Sequence, residues 1–321
     1  MFKQIRHVLC LSLLSISGAF ASGIQDVLNE PMFVNDEPLS FLWDVSYQGE
    51  NVGALLGTYH IGKVGTVLPE KVKEYLAKSD QLITENVIAF QSQSDLVEQS
   101  LMFQSFFTSE LTIDERFSPN TAKLWKSYLS SKGIPKAQQD SATDIFLYML
   151  ISIDIGANYG PQYGMEHLIG QYVILNKKPS EFKNIGLEQL LESIKYLQDA
   201  ISDNLLEALE LHFAYSEVMN GHGRAMFTCY QRNDVRCLFN EMLIAEKVIP
   251  MTEEEKIEAE VIMRKINEAR NYNWMPKLVP ILKDKKSGNN LIAVGSLHLF
   301  GKEGLIELLR KEGFELTPVL Y

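Results

Sequence analysis

Apolar positions run almost unbroken in short stretches at both ends of the chain and recur at helical spacing between them. Residues 41–47 read as a strand, Gln48-Gly49-Glu50-Asn51 as a turn, and 52–56 as a second, apolar strand, which predicts a hairpin. Pro69 then opens a helical pattern, with Val72, Tyr75 and Leu76 at spacings of three and four, and Ser79-Asp80 ends it. Residues 81–86 form a third strand. Strand, helix and strand make a βαβ crossover, so the strands at 52–56 and 81–86 are expected to pair in parallel.

From about 92 to 270 the spacing is mostly helical. The candidates are 96–107, 121–132, 142–155, 166–175, 187–219 and 253–269, punctuated by Pro135, Pro161, Pro179 and Pro250. The C-terminal part returns to the first pattern: a helix at 274–282, a strand at 291–294, a helix at 305–311 closed by Gly313, and a strand at 314–320. The expected fold class is therefore α/β, a mixed sheet built from N- and C-terminal βαβ-like units with a large central helical insertion. The 321 residues are enough to bury a substantial core.

The first residues have a different logic. Lys3 and Arg6 precede an apolar run at 8–16, and Ala19-Phe20-Ala21 offers a small-x-small cleavage site. Residues 1–21 are expected to be a signal peptide and 22–321 the mature domain, exported to a periplasmic or extracellular space. No later stretch is apolar and long enough to span a membrane, so no stable membrane insertion is expected after cleavage. Loss of Lys3 and Arg6 takes the net charge from −11 to −13, which disfavours nucleic acid as a partner. Cys229 and Cys237 then remain. An oxidising compartment favours a bridge, whereas a continuous helix through both would hold the sulfurs roughly 12 Å apart.

Two near-identical motifs carry the candidate chemistry. Gly57-Thr58-Tyr59-His60 follows the 52–56 strand and Gly295-Ser296-Leu297-His298 follows the 291–294 strand. Ligands of open α/β sheets sit beyond the carboxyl ends of parallel strands, and His60, Glu85 and His298 each stand at such an end. Two imidazoles and a carboxylate form a common catalytic metal set, with Asn86 the neighbouring alternative to Glu85. Glu85 serves as ligand or as general base. Arg270, beside Asn271, either clamps a carboxylate or polarises a peptide carbonyl, or else pairs with a neighbour such as Glu268. Glu166 begins a helix after Gly164 and either approaches the site or serves the helix dipole. Tyr59 should face away from His60. His212 and His222 lack motif context. The zinc-helix His-Glu-x-x-His, the phosphate loop and the Gly-x-Ser-x-Gly elbow are all absent.

In this order the residues resemble the TraB/GumN family, relatives of the TIKI metalloproteases that cut Wnt proteins. The resemblance runs from about Leu39 to the end and rests on Gly57-Thr58-Tyr59-His60, Leu82-Ile83-Thr84-Glu85, Arg270-Asn271 with Trp274, and Ala293 to Leu299 with Gly301 and Gly304. It implies an α/β core with helical insertions, peptide-bond hydrolysis of a peptide or protein substrate, and a divalent metal, manganese or cobalt, with zinc the further candidate. His60, Glu85 and His298 would be the metal residues, with Glu85, Arg270 and Asn271 catalytic. Where relatives carry Gly-x-Asp this chain has Gly164-Met165-Glu166. Where they carry Leu-Glu-Thr it is read as having Lys183-Asn184-Ile185, with one acid lost. The alternatives are a haem-binding protein using Tyr59 and His60, or a protein that sequesters a peptide without cutting it.

Overall fold

The computed structural model describes residues 21–35, 37–87, 100–101, 103–178, 180–201, 205–248, 261 and 264–321. The strands are β1 (Leu42–Tyr47), β2 (Glu50–Thr58), β3 (Gly62–Lys63), β4 (Gln81–Thr84), β5 (Tyr159–Gly160), β6 (Lys183–Gly186), β7 (Asn290–Gly295) and β8 (Phe314–Pro318). The helices that matter below are α1 (Glu70–Lys78), α2 (Pro119–Ser131), α3 (Asp144–Ser152), α4 (Met165–Asn176), α5 (Leu190–Ile201), α6 (Leu205–Gln231), α7 (Val235–Val248), α8 (Ala269–Lys283) and α9 (Leu305–Lys311).

Six strands form one mixed sheet in the order β6-β4-β7-β2-β1-β8, and β3 pairs with β5 in a small separate ribbon. The fold is thus mixed α/β with a helical centre, as the periodicity predicts. The β1–β2 hairpin forms across Gln48 and Gly49, whose positive φ values of 54° and 78° make a two-residue primed turn that matches strand twist. The expected direct pairing of β2 with β4 does not occur. β7 lies between them, parallel to both. Every residue of β7 is buried, and its unbroken apolar run at 291–294 is stable only where both faces are covered. The N- and C-terminal units therefore interleave instead of standing side by side.

β6 is the other departure, because the chain adds a strand from within its helical centre. Lys183-Asn184-Ile185-Gly186 shows no alternation, and as an edge strand it takes its structure from pairing with β4. The helix expected at 187–219 is two, α5 and α6, with α6 running on to Gln231, and α7 was not anticipated. Of the helix expected at 96–107, residues 100–101 and 103–105 are described and helical, whereas the helix expected at 253–269 lies largely outside the described residues, as does the targeting segment. α6 ends before Asn233, whose φ of 53° turns the chain into α7. Cys229 and Cys237 thereby come within 5.5 Å between Cα atoms and are bridged.

Two apolar cores result. One covers the sheet and includes Trp43, Leu55, Ile83, Ile292 and Trp274. The other lies among the helices around Trp125, Leu129, Leu147 and Leu209. No described helix is long and apolar enough to cross a membrane.

Candidate functional site

The two Gly-x-x-His motifs meet because β2 and β7 are parallel neighbours in register, with Gly57 opposite Val294 and Thr58 opposite Gly295. The two glycines serve different ends. A Cβ on Gly57 would stand 3.0 Å from Ser296 Cα and from Leu299 Cδ2, so Gly57 lets the second motif pack against the first strand. A Cβ on Gly295 would stand 3.1 Å from Glu85 Oε1, 3.3 Å from His60 Nε2 and 3.5 Å from His298 Cδ2. Three side chains from three strand ends therefore converge on the space over one glycine.

Each is held from behind. Glu85 extends from β4, and its Oε1 accepts the Gly295 N–H at 2.7 Å. His60 Nδ1 lies 2.6 Å from Glu166 Oε1, and Thr58 Oγ1 donates to the same carboxylate oxygen through a short hydrogen bond. Gly164 permits that pairing. It packs directly on the His60 carbonyl, where a Cβ would clash, and the Met165 N–H reaches the Tyr59 carbonyl at 3.0 Å. His298 is buried on the Trp274 ring, with centroids 4.5 Å apart. Its Nδ1 is 2.8 Å from Asn271 Oδ1. The Asn271 amide donates to the His298 and Glu303 carbonyls at 3.2 and 2.8 Å, which fixes Oδ1 as acceptor. His298 Nδ1 accordingly carries the proton, and Nε2 presents a lone pair to the cavity.

Arg270, from the first turn of α8, ties the charges together. Its Nη2 donates to Glu85 Oε2 at 2.5 Å, and Nη1 lies 3.3 Å from His298 Nε2. Its Nε donates to Glu188 Oε1 at 3.0 Å, and Nη2 makes a short bond to the same oxygen. Trp274 Nε1 donates to Glu188 Oε2 at 3.1 Å and its ring lies under the guanidinium. A π-helical turn at Arg264–Glu268 leads into α8, and its Ile266 and Asn267 line the cavity next to Arg270.

These contacts set the charges. The Glu166 carboxylate, against the opposing pull of burial, raises His60 to about 9. Burial pushes Glu166 upward, but the His60 charge and hydrogen bond outweigh it and the group is held low. Burial likewise favours neutral Glu85, yet Arg270, His298, His60 and the Gly295 amide keep it ionised far below the usual carboxylate range. His298, buried and facing Arg270, falls to about 3 and is neutral. Arg270 stays charged, because Glu85 and Glu188 outweigh its desolvation.

The structure thus brings His60, Glu85, His298 and Arg270 to one cavity of about 260 Å3. Asn271 does not line it and acts through His298. Asn86 lines it, but its amide is spent on the Glu188 carbonyl and Ser193 Oγ at 3.2 and 3.0 Å. Arg270 pairs with Glu85 and Glu188, not with Glu268. Glu166 joins the site. A further acid, Glu188 in Leu187-Glu188-Gln189 just past β6, also reaches Arg270. The ladder continues beyond the strands through Glu188 N to Glu85 O at 2.9 Å, which seats the two carboxylates side by side. Recognising β6 as a strand was the signal that would have placed it. Tyr59 faces away, its buried hydroxyl 3.3 Å from the Gly223 carbonyl and its ring stacked on Tyr230. Tyr59 and His60 therefore form no iron-ligating pair. His212 packs on Trp125, and His222 pairs with Glu241.

The donor types, two imidazoles whose Nδ1 atoms are engaged by acceptors and one anchored carboxylate, are of the kind that bind a divalent cation. Among the described residues no three such side chains close on a single cation as they stand. Arg270 lies on both Glu85 and His298, and a cation would have to displace those two contacts while Glu188 keeps hold of the guanidinium. Residues 41–318 match the sequence model of the TraB/PrgY/gumN family. Neither a curated protein nor a solved structure matches the chain.

Proposed function

The chain belongs to the TraB/PrgY/gumN family, and from that premise we propose that it is an exported hydrolase of peptide bonds working in the cavity over Gly295. The observation that supports this most is the meeting of His60 Nε2, Glu85 Oε1 and the His298 ring over that glycine. His60, Glu85 and His298 would hold a manganese, cobalt or zinc ion, which when bound supplies Lewis acidity and an acidified water. The remaining tasks fall to the chain itself. Glu166 and Asn271 keep both imidazoles turned with Nε2 inward. Glu85 either completes the ligand set or takes the proton from the attacking water. Arg270 donates toward the oxygen on which negative charge develops, and Glu188 and Trp274 fix the plane of its guanidinium. The charged groups sit in a partly enclosed recess, where such hydrogen bonds are stronger than in bulk water.

Export rests on the Lys3/Arg6, 8–16 and Ala19-Phe20-Ala21 pattern. The Cys229–Cys237 bridge accords with an oxidising compartment. The reading is tested with the mature protein stripped by chelator, reloaded with manganese, cobalt or zinc, and incubated with a peptide library followed by mass spectrometry. Cleavage restored by one of these metals and abolished in His60→Ala, Glu85→Gln and His298→Ala is expected. Absence of both stoichiometric metal and cleavage in the wild type overturns it.

A further inference from the structure

The cavity over Gly295 has two unlike ends. One is the charged cluster. The other is walled by Leu190, Ile194 and Leu197 of α5, Met149 of α3 and Ile266 of the π-helical turn, with the neutral polar residues Ser193, Tyr196 and Asn267 between them. Met149, Ile194, Leu197 and Ile266 are the partly buried fringe of the helical core around Trp125, so packed side chains back this wall. Among the described residues the lining contains no lysine, and its cations are committed: Arg270 to Glu85 and Glu188, His60 to Glu166. A charged side chain entering the apolar end would exchange its hydration for no more than neutral groups such as Ser193, Tyr196 and Asn267. An apolar one would lose only its contact with water.

Size narrows the class further. An apolar cavity of about 150 Å3 admits a benzene ring. A cavity of about 260 Å3 therefore has room for one large side chain and for the peptide unit joined to it. We propose that the site selects a peptide residue with a bulky apolar side chain, leucine, methionine or phenylalanine, beside the bond presented over Gly295, and that α5 is the specificity surface. This inference rests on the reading of the cavity as a substrate site.

The test is equilibrium binding to the full mature chain with metal removed by chelator, so that cleavage does not intervene. The probes are amidated peptides Gly-Ala-X-Ala-Gly with X leucine, phenylalanine, alanine or aspartate, measured by calorimetry. Leucine or phenylalanine should bind at least about 10-fold more tightly than alanine, with aspartate no tighter than alanine. Ile194→Trp, which fills the apolar end, should erase the preference. Leu197→Ala, which enlarges it, should shift preference from leucine toward phenylalanine, and circular dichroism checks that both variants fold. Equal binding across the series, preference for aspartate, or no binding of any member overturns the inference. Apolar preference without cleavage on metal loading would sink the hydrolase reading and leave this one standing. Cleavage without preference would do the reverse.

Discussion

Replacing Gly295 with alanine is the smallest change that reaches His60, Glu85 and His298 together. The backbone there has φ −50° and ψ 136°, open to any residue, so the substitution carries no conformational strain. The added methyl would stand 3.1 Å from Glu85 Oε1 and 3.3 Å from His60 Nε2, inside comfortable contact distance. Glu85 is pinned by the Gly295 amide and Arg270, while His60, with 46% of its side chain exposed, can swing outward. Folding should lose no more than about 1 kcal/mol, the lower end of the overpacking range. The donor geometry should suffer far more, because ligand bonds of about 2 Å leave no room for a methyl among the ligands. Affinity for manganese should fall at least about 100-fold, about 2.7 kcal/mol. Calorimetry on chelator-stripped wild type and variant reads that loss, and thermal unfolding reads the small change in stability. Gly57→Ala is the control with the opposite signature. Its methyl meets the Ser296 backbone at 3.0 Å, which cannot yield, so stability should drop by about 1–3 kcal/mol. A folded Gly295→Ala protein that binds manganese within threefold of the wild type would refute the reasoning.

Three further outcomes follow from particular contacts. Glu188→Ala removes the two-point partner of Arg270 and the acceptor of Trp274 Nε1, and urea unfolding should show a loss of about 3–5 kcal/mol, partly recovered in the Arg270→Ala, Glu188→Ala double variant. Reducing the Cys229–Cys237 bridge, which closes a sequence separation of 8, should lower stability by about 2.5 kcal/mol by the loop-entropy relation, read as a drop in Tm with reductant that the Cys229→Ser, Cys237→Ser protein does not show. His212 is held neutral by burial, at about 4 against an ordinary 6.5, and its Nδ1 has no hydrogen-bond partner among the described residues. The unfolded chain therefore binds a proton that the folded one refuses, and stability should fall as pH drops from about 6.5 toward 4, by up to about 3 kcal/mol, with a flatter profile in His212→Phe.

What the sequence disclosed tracks the strength of its local patterns. The hairpin, the strand at 81–86 and the C-terminal strand–helix–strand are legible because apolar runs and turn residues agree there. The duplicated Gly-x-x-His is legible because each copy follows an apolar strand with a glycine and an imidazole at the same spacing. Strand order is not, because β7 enters between β2 and β4 through tertiary burial alone. β6 is not, because an edge strand borrows its structure from β4, and the place of Glu188 beside Arg270 follows from that strand. The roles of Asn271 and Glu166 depend on which ring nitrogen each engages, a matter of rotamers that spacing does not encode. Tyr59 is the simple case: strand alternation places it opposite His60, and its hydroxyl lies 3.3 Å from the Gly223 carbonyl.

On the proposed function, imidazoles from opposite ends of the chain face one cation-sized space. Ring-nitrogen NMR of the chelator-stripped protein, with signals assigned through His60→Gln and His298→Gln, tests it directly. A single equivalent of paramagnetic manganese should broaden the His60 and His298 signals together, and each single variant should weaken the effect on the other ring. Broadening of one ring without the other, or of neither at stoichiometric manganese, would contradict it.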